Sequence, residues 1–366
     1  MKVGDEITVS PVELVAGGDA LARIDGFPVF ASNVFPGDVA VIRLHEVKKG
    51  FAKGDLVRLV EAGPWRRAEP CPIAGECGGC DWTALRLDRQ LEAKRRILTE
   101  SLRRIGKFAV EQLPPVTIHP SPLNYRIRSR LHEDRGDVGF FAMRSNRVVP
   151  LSEACEVVGV QTARNPRPGT TWEIGNDLIP EDREIELHVD GFTWQLSTRS
   201  FFQVNRHMHA TMIRLVTAHA ARCRQRQLAI DLYAGVGFFT VPLARHFERV
   251  VAVEGSAESA RYARRNAPQN VLVVEAAVEQ HAGKLPVADF VFLDPPRAGA
   301  RQEVVAAAAS SAREMICYLS CDPVTFSRDA NRLRASGWRL ATLDLLDLFP
   351  NTHHVETLAT FERSTA

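Results

Sequence analysis

The chain has 366 residues, of which 45% are hydrophobic and 25% charged, and a formal net charge of +2. That length exceeds one ordinary core, so two or three domains are expected. The near balance of charge gives no reason to expect a nucleic-acid or membrane partner, so any such surface has to come from local clustering. The opening MKVGDEITVSPVEL has no apolar core segment and no run approaches the ~18 apolar residues of a membrane span, so a cytoplasmic, membrane-free protein is expected.

Residues 1–62 carry short runs of alternating polarity (EITVSPVEL, FPVFASNV, DVAVIRLHEV, DLVRLVEA) punctuated by glycine turns, the pattern of a small β-barrel. Residues 63–195 form a second, β-rich region. It opens with CPIAGECGGCD, where Cys71, Cys77 and Cys80 are spaced so that three thiols can converge on one ion, with Cys155 far downstream. Seven cysteines, an odd number, in a long chain expected to be cytoplasmic favour metal or catalytic use over disulfides. The count fits zinc or an iron–sulfur cluster, and spacing does not separate the two. An amphipathic helix is expected at about 84–106, packing on the catalytic region through Leu87, Leu91, Leu98, Leu102 and Ile105. Its other side carries Arg89, Lys94, Arg95, Arg96, Arg103 and Arg104, either a solvated face or an RNA contact.

From 196 to 366 strands alternate with helices, which specifies a doubly wound, mostly parallel α/β sheet of Rossmann type. Functional residues of such sheets gather at the C-terminal strand tips. AIDLYAGVGFF reads as strand, glycine turn and helix. Gly235 and Gly237 let a ligand approach the backbone, and Glu254 at the next strand tip can accept from ribose hydroxyls. Thr240 occupies the third glycine position of a dinucleotide fingerprint, so the D-x-x-x-G-x-G form fits S-adenosylmethionine (SAM) better. FVFLDPPRAG ends a strand at Asp294, where two prolines force the chain out of the sheet. Asp294 is expected to meet a SAM amine or a base edge, or else to cap a helix. MICYLSCDP places Cys321 at a strand tip as a candidate nucleophile. Glu356, among apolar Val355, Leu358 and Ala359, is a candidate base with a raised pKa. Cys223 and Cys317 read as packing residues, and His353 and His354 as structural residues that could reach a phosphate.

In this order, FFQVN, DLYAGVG, LDPPRAG, YLSCDP and HHVETLATFER resemble the SAM-dependent RNA 5-methyluridine methyltransferases. The N-terminal region is similar to their TRAM domain, an RNA-binding barrel. CPIAGECGGC with Cys155 resembles the four-cysteine [4Fe–4S] site of the ribosomal RNA members and some transfer RNA members. The resemblance implies that Gln203, Tyr233, Glu254 and Asp294 bind SAM, that Cys321 is the nucleophile and Glu356 the base, and that Cys71, Cys77, Cys80 and Cys155 hold the cluster, with zinc as the alternative. It further implies an RNA substrate, ribosomal before transfer RNA, and a monomer is expected. Two positions depart from the family: Ala234 stands where many members have cysteine, and Asp322 where asparagine is common. The alternatives are a non-catalytic RNA-binding or chaperone protein on a SAM-binding fold, and methylation of a different nucleic-acid position.

Overall fold

The computed structural model describes residues 1–363; the last three residues of the expected catalytic region, 364–366, lie outside the described residues. The alternating N-terminal runs become β1 (Glu6–Val9), β2 (Glu13–Leu14), β3 (Ala20–Ile24), β4 (Phe27–Ser32), β5 (Val39–Val47) and β6 (Ala52–Glu61). They form one six-stranded sheet in the order β1-β5-β6-β4-β3-β2, antiparallel except where β4 meets β6. Its buried side carries Val9, Val29, Ile42 and Leu44, the apolar half of each alternation. Buried Asp38 closes the unit by accepting from the Phe35 and Gly63 amides and from Arg66.

Helix α1 spans Leu87–Arg104 and packs against the catalytic region, but its buried face differs from the expected one. Leu98 and Leu102 are buried, whereas Leu87 and Ile105 are exposed, and Gln90 and Lys94 take inward positions. Lys94 is fully buried, with Nζ 2.6 Å from Asp347 Oδ1 and 2.9 Å from the Phe349 carbonyl, so it belongs to no basic surface. The exposed arginines are largely paired: Arg89 with Glu92, Arg96 with Glu13, and both Arg103 and Arg104 with Glu100. The polar stripe is therefore mostly self-compensated.

After α1, β7 (Val116–His119) leaves the middle region and joins the large sheet. β8 (Arg128–Asp134), β9 (Asp137–Phe141), β10 (Val148–Pro150), β11 (Gly169–Ile174) and β12 (Asp177–Pro180), with α2 (Val160–Arg164) between β10 and β11, make a five-stranded sheet in the order β10-β9-β8-β11-β12. A hairpin of β13 (Glu184–Val189) and β14 (Phe192–Ser197) follows. It docks through Asn266, whose side chain bonds both Gln195 backbone groups, and through Trp194, whose indole donates to the Gly237 carbonyl at 3.0 Å.

The remaining elements are α3 (His209–Ala220), β15 (Leu228–Leu232), α4 (Thr240–Leu243), β16 (Arg249–Glu254), α5 (Ala257–Asn266), β17 (Val271–Glu275), α6 (Val278–His281), β18 (Ala288–Leu293), α7 (Gln302–Ser311), β19 (Ala312–Ser320), α8 (Pro323–Ala335), β20 (Trp338–Leu346) and β21 (Glu356–Arg363). The eight-stranded sheet runs β17-β16-β15-β18-β19-β21-β20-β7. All neighbours are parallel except β21, which inserts antiparallel between β19 and β20. β15 and β18 are buried along their whole lengths, as strands covered on both faces must be. That inserted strand has a chemical consequence, because it brings the start of β21 beside the end of β19.

Candidate active site

The expected catalytic and ligand residues converge on one cavity of about 610 Å³ at the strand tips, within the range of small-molecule sites. Gln203, Tyr233, Gly235, Glu254, Asp294, Cys321 and Glu356 all line it; Gly237 does not. Gly237 instead lies behind the turn, its carbonyl engaged by Trp194. Both glycines have positive φ, +57° at Gly235 and +89° at Gly237, which explains why the turn needs them.

Register sets the reacting pair. Ser320, the last residue of β19, pairs with Thr357 on β21, so Cys321 and Glu356 each lie one residue beyond that pair at the same end of adjacent strands, and both line the cavity. Asp322 then caps α8, its Oδ1 accepting from the Val324 and Thr325 amides at 3.0 and 2.8 Å. An asparagine oxygen does the same work, so this departure from the family leaves the nucleophile's support intact.

The cavity floor is acidic. Burial, then the charge of Asp231, pushes the Asp294 carboxyl up to about 8. Burial pushes Asp231 up to about 7 against the opposing hydrogen bond from Thr240. Glu356 is raised well above the usual carboxylate range by burial, then by Asp294. The Cys321 thiol is pushed up to about 12 by burial, then by Glu356 and Asp294. Three carboxyl groups and a thiol thus share one desolvated space.

Each acid has identifiable support. Gln203 Nε2 donates to Asp294 Oδ2 at 3.1 Å. Gln203 is placed by Phe202, which is packed among Trp172, Trp194 and Phe238, and by His209, whose ring donates to the Gln203 carbonyl at 2.6 Å. Burial depresses His209 to about 4, so it is a neutral donor. Glu254 accepts from the Gly235 amide at 2.8 Å and the Ser256 amide at 2.7 Å, leaving lone pairs for a ligand hydroxyl. Tyr233 has φ +65°, and its hydroxyl donates to Glu279 at 3.0 Å.

A SAM molecule carries a sulfonium and an ammonium beside an adenosine, and the residues present fit it. Asp231 Oδ1 is buried with no hydrogen-bond partner among the described residues, and Asp231 lines the cavity. A cationic ligand would satisfy that orphaned oxygen and offset the repulsion among the acids. Asp231 was visible in the sequence only as the first letter of the glycine motif. Thr240, the residue that spoils the dinucleotide fingerprint, binds its other oxygen. Phe201, 62% exposed, and Arg297 also line the cavity from within the FFQVN and LDPPRAG motifs, and Arg199 joins them without a motif of its own.

Cys71, Cys77, Cys80 and Cys155 line a different, much smaller cavity of about 30 Å³. All are free thiols. Burial raises Cys71, Cys77 and Cys80, with further raising from Cys155 beside each. Four soft donors that repel one another as thiolates form a set suited to a thiophilic metal centre. Yet, among the described residues, no three His, Cys, Asp or Glu side chains are grouped tightly enough for a single ion. The thiols share a cavity rather than a point. Cys223 and Cys317 are buried packing residues, as expected. His353 pairs with Asp81 and His354 is partly buried against Phe349, so both serve the fold. Among the described residues no helix is long and apolar enough to cross a membrane.

Comparison with known proteins agrees with this geometry. Residues 168–281 and 285–364 match the family described as tRNA (Uracil-5-)-methyltransferase, and residues 2–57 match the TRAM domain. An uncharacterized RNA methyltransferase of Gloeobacter violaceus is 32% identical over 99% of this chain and 97% of its own. The 23S rRNA (uracil(1939)-C(5))-methyltransferase RlmD of Pseudomonas aeruginosa is 30% identical over 98% of this chain and 95% of its own. The crystal structure of a Pyrococcus abyssi tRNA (uracil-54, C5)-methyltransferase with S-adenosyl-L-homocysteine superimposes with TM-score 0.73 at 22% identity. That alignment covers 97% of this chain and all of the other, so the two share a fold.

Proposed function

The chain belongs to the tRNA (uracil-5-)-methyltransferase family, and we propose that it transfers a methyl group from SAM to C5 of a uridine in RNA, with Cys321 as nucleophile and Glu356 as base. The observation that carries this reading is the apposition of Cys321 and Glu356 across β19 and β21 on the acid-lined cavity. A binding protein has no need of that pair.

C5 of uracil is a poor nucleophile. Attack of the Cys321 sulfur on C6 forms the S–C6 bond and moves the C5–C6 electron pair onto an enolate spread over C5 and O4. When bound, SAM supplies an electrophilic methyl group, which C5 takes. Glu356 then removes the C5 proton, the C5–C6 double bond re-forms and sulfur leaves. The thiol proton has to depart first, and burial, then Glu356 and Asp294, oppose that departure by pushing the thiol up to about 12. Cationic charge beside Asp294 lowers that barrier by offsetting the carboxylate charge that, after burial and Glu356, opposes the thiolate. Gln203, Tyr233, Gly235, Gly237, Glu254 and Asp294 are assigned to SAM, Gly237 through the turn it shapes.

A paired uridine cannot reach Cys321, so the base must be flipped at a cost of a few kcal/mol. Residues 1–62, as the TRAM barrel, supply RNA contacts that offset this; residues 63–195 carry the cysteine site; and 196–366 carry the chemistry. The 30% identity to the 23S rRNA enzyme over nearly the whole of both chains favours a uridine in ribosomal RNA. Cys71, Cys77, Cys80 and Cys155 are assigned to a [4Fe–4S] cluster of structural role. A single zinc held by the same four sulfurs is the alternative, since both centres take four thiolate donors.

Ribosomal and transfer RNA lacking the modification, incubated separately with the protein and methyl-labelled SAM, test the reading. Label recovered as 5-methyluridine from ribosomal RNA supports it. Label at another atom, or binding of RNA and SAM without transfer, overturns the reaction. Transfer to tRNA alone overturns the substrate. Iron with acid-labile sulfide supports the cluster, whereas one zinc and no iron overturns it.

A further inference from the structure

The turn at residues 349–355 delivers Glu356 to the pocket, and it is gripped from outside its own sheet. Asn351 is the hub of that grip. It is fully buried at φ +66°. Its side-chain oxygen accepts from Arg67 at 3.1 Å and Gln90 at 3.0 Å, and its Nδ2 donates to Glu156 Oε2 at 2.9 Å. Its amide donates to Gln90 Oε1 at 2.8 Å, and its carbonyl accepts from the Asp81 and Trp82 amides. Two residues on, Asp81 holds His353 twice: Oδ1 accepts from the His353 amide at 3.1 Å, and Oδ2 lies 2.6 Å from His353 Nδ1.

Two of these partners immediately follow cysteines of the small cavity. Asp81 follows Cys80, and Glu156 follows Cys155. The β2–β3 turn of the N-terminal sheet closes the contact from the other side. Gly18 donates no side chain because a Cβ there would lie 2.3 Å from Asp81 Oδ2 and 2.9 Å from His353 Nδ1. Its carbonyl accepts from Trp82 Nε1 at 3.0 Å.

We infer that Asn351 and the Asp81–His353 pair are positioning residues for Glu356, through which the segments carrying Cys80 and Cys155 set the aim of the base. The inference rests on Glu356 being the base. A fixed turn matters because proton removal from C5 demands a carboxylate within hydrogen-bond reach of that carbon, and a displacement of ~1 Å costs up to 10²-fold. Methyl transfer precedes that step and does not use Glu356. Loosening the turn should therefore slow elimination selectively and let the covalent RNA adduct build up.

The test is Asn351→Gly, which removes the side chain while keeping a residue at ease at positive φ. The expected result is a kcat lowered by about tenfold, KM for RNA and SAM within about twofold of the parent, and a covalent protein–RNA adduct on denaturing gels. Asp81→Asn, which keeps shape and removes charge, should move the same readouts in the same direction by about threefold. Glu356→Gln is run alongside. If Glu356→Gln traps adduct while both other variants turn over normally without it, the positioning inference is overturned and the base assignment stands. If Glu356→Gln turns over normally, both fall. A drop in kcat with no adduct in either variant also overturns the inference. Should Asn351→Gly fail to fold, Asp81→Asn alone decides by the same adduct readout.

Discussion

Two regions of this protein bury reactive thiols, and they raise those thiols for different reasons. At Cys321 the contribution beyond burial comes from the carboxyl groups of Glu356 and Asp294. At Cys80 it comes from two other thiols, Cys155 and Cys77. The first arrangement makes a thiol whose ionisation gains from cationic charge next to the acids, which is what a nucleophile beside a cationic methyl donor needs. The second makes a set of neighbouring thiols, each of which favours the neutral form until a metal takes its proton's place. Burial alone does not distinguish a nucleophile from a ligand; the neighbours do.

The sharpest way to break this comparison is to remove one thiol from each region. Cys321→Ala should lower 5-methyluridine formation by at least about 10³-fold and abolish the adduct, while iron content and thermal midpoint stay at parent values. Substantial turnover would remove Cys321 from the chemistry. Glu356→Gln comes next, with turnover down about 10²- to 10⁴-fold and covalent adduct accumulating, since the amide supports addition but cannot take the C5 proton. Cys80→Ser should act in the opposite register. Its iron should be lost and its melting temperature should drop by several degrees, because binding free energy of a metal centre is folding free energy. Full iron retention in Cys80→Ser would remove Cys80 from the metal ligands.

The sequence made the two regions unequally legible. Cys321, Asp294 and Glu254 each end an apolar run, so position at a strand tip was readable from hydrophobicity and its punctuation alone. The facing of Cys321 and Glu356 was not, because an antiparallel strand inserted between β19 and β20 is invisible to local pattern. Helix α1 was misjudged for a related reason. Gln90 and Lys94 look like solvent residues until Asn351 and Asp347, more than two hundred positions away, are brought beside them. A buried polar side chain is recognisable only with its partner in view. Thr240 shows the same limit in miniature: it counted against a dinucleotide fingerprint, and its role is to bind Asp231.

The smallest expected effect concerns the acids of the catalytic pocket. Asp294 at about 8 and Asp231 at about 7 lie far above their unfolded range near 3.8. The folded, ligand-free protein therefore holds more protons at these sites than the unfolded chain does. Stability from them is present at acid pH and falls as pH rises from about 4 toward 8, the reverse of a salt-bridged carboxylate. Binding a cation favours the ionised acids, so SAM uptake releases a proton in this window. SAM affinity should rise between pH 6 and pH 7 with a slope approaching tenfold per unit for one released proton, and SAM should offset most of the loss of thermal stability over the same interval. Calorimetric titrations in buffers of different ionisation enthalpy read the proton count directly. In Asp294→Asn the slope should flatten and affinity should weaken, while iron in the four-cysteine cavity is unchanged. A parent protein whose SAM affinity is flat from pH 6 to pH 7 would show that SAM uptake releases no proton from these carboxyls, and their assignment as the acids that meet its charge would be lost.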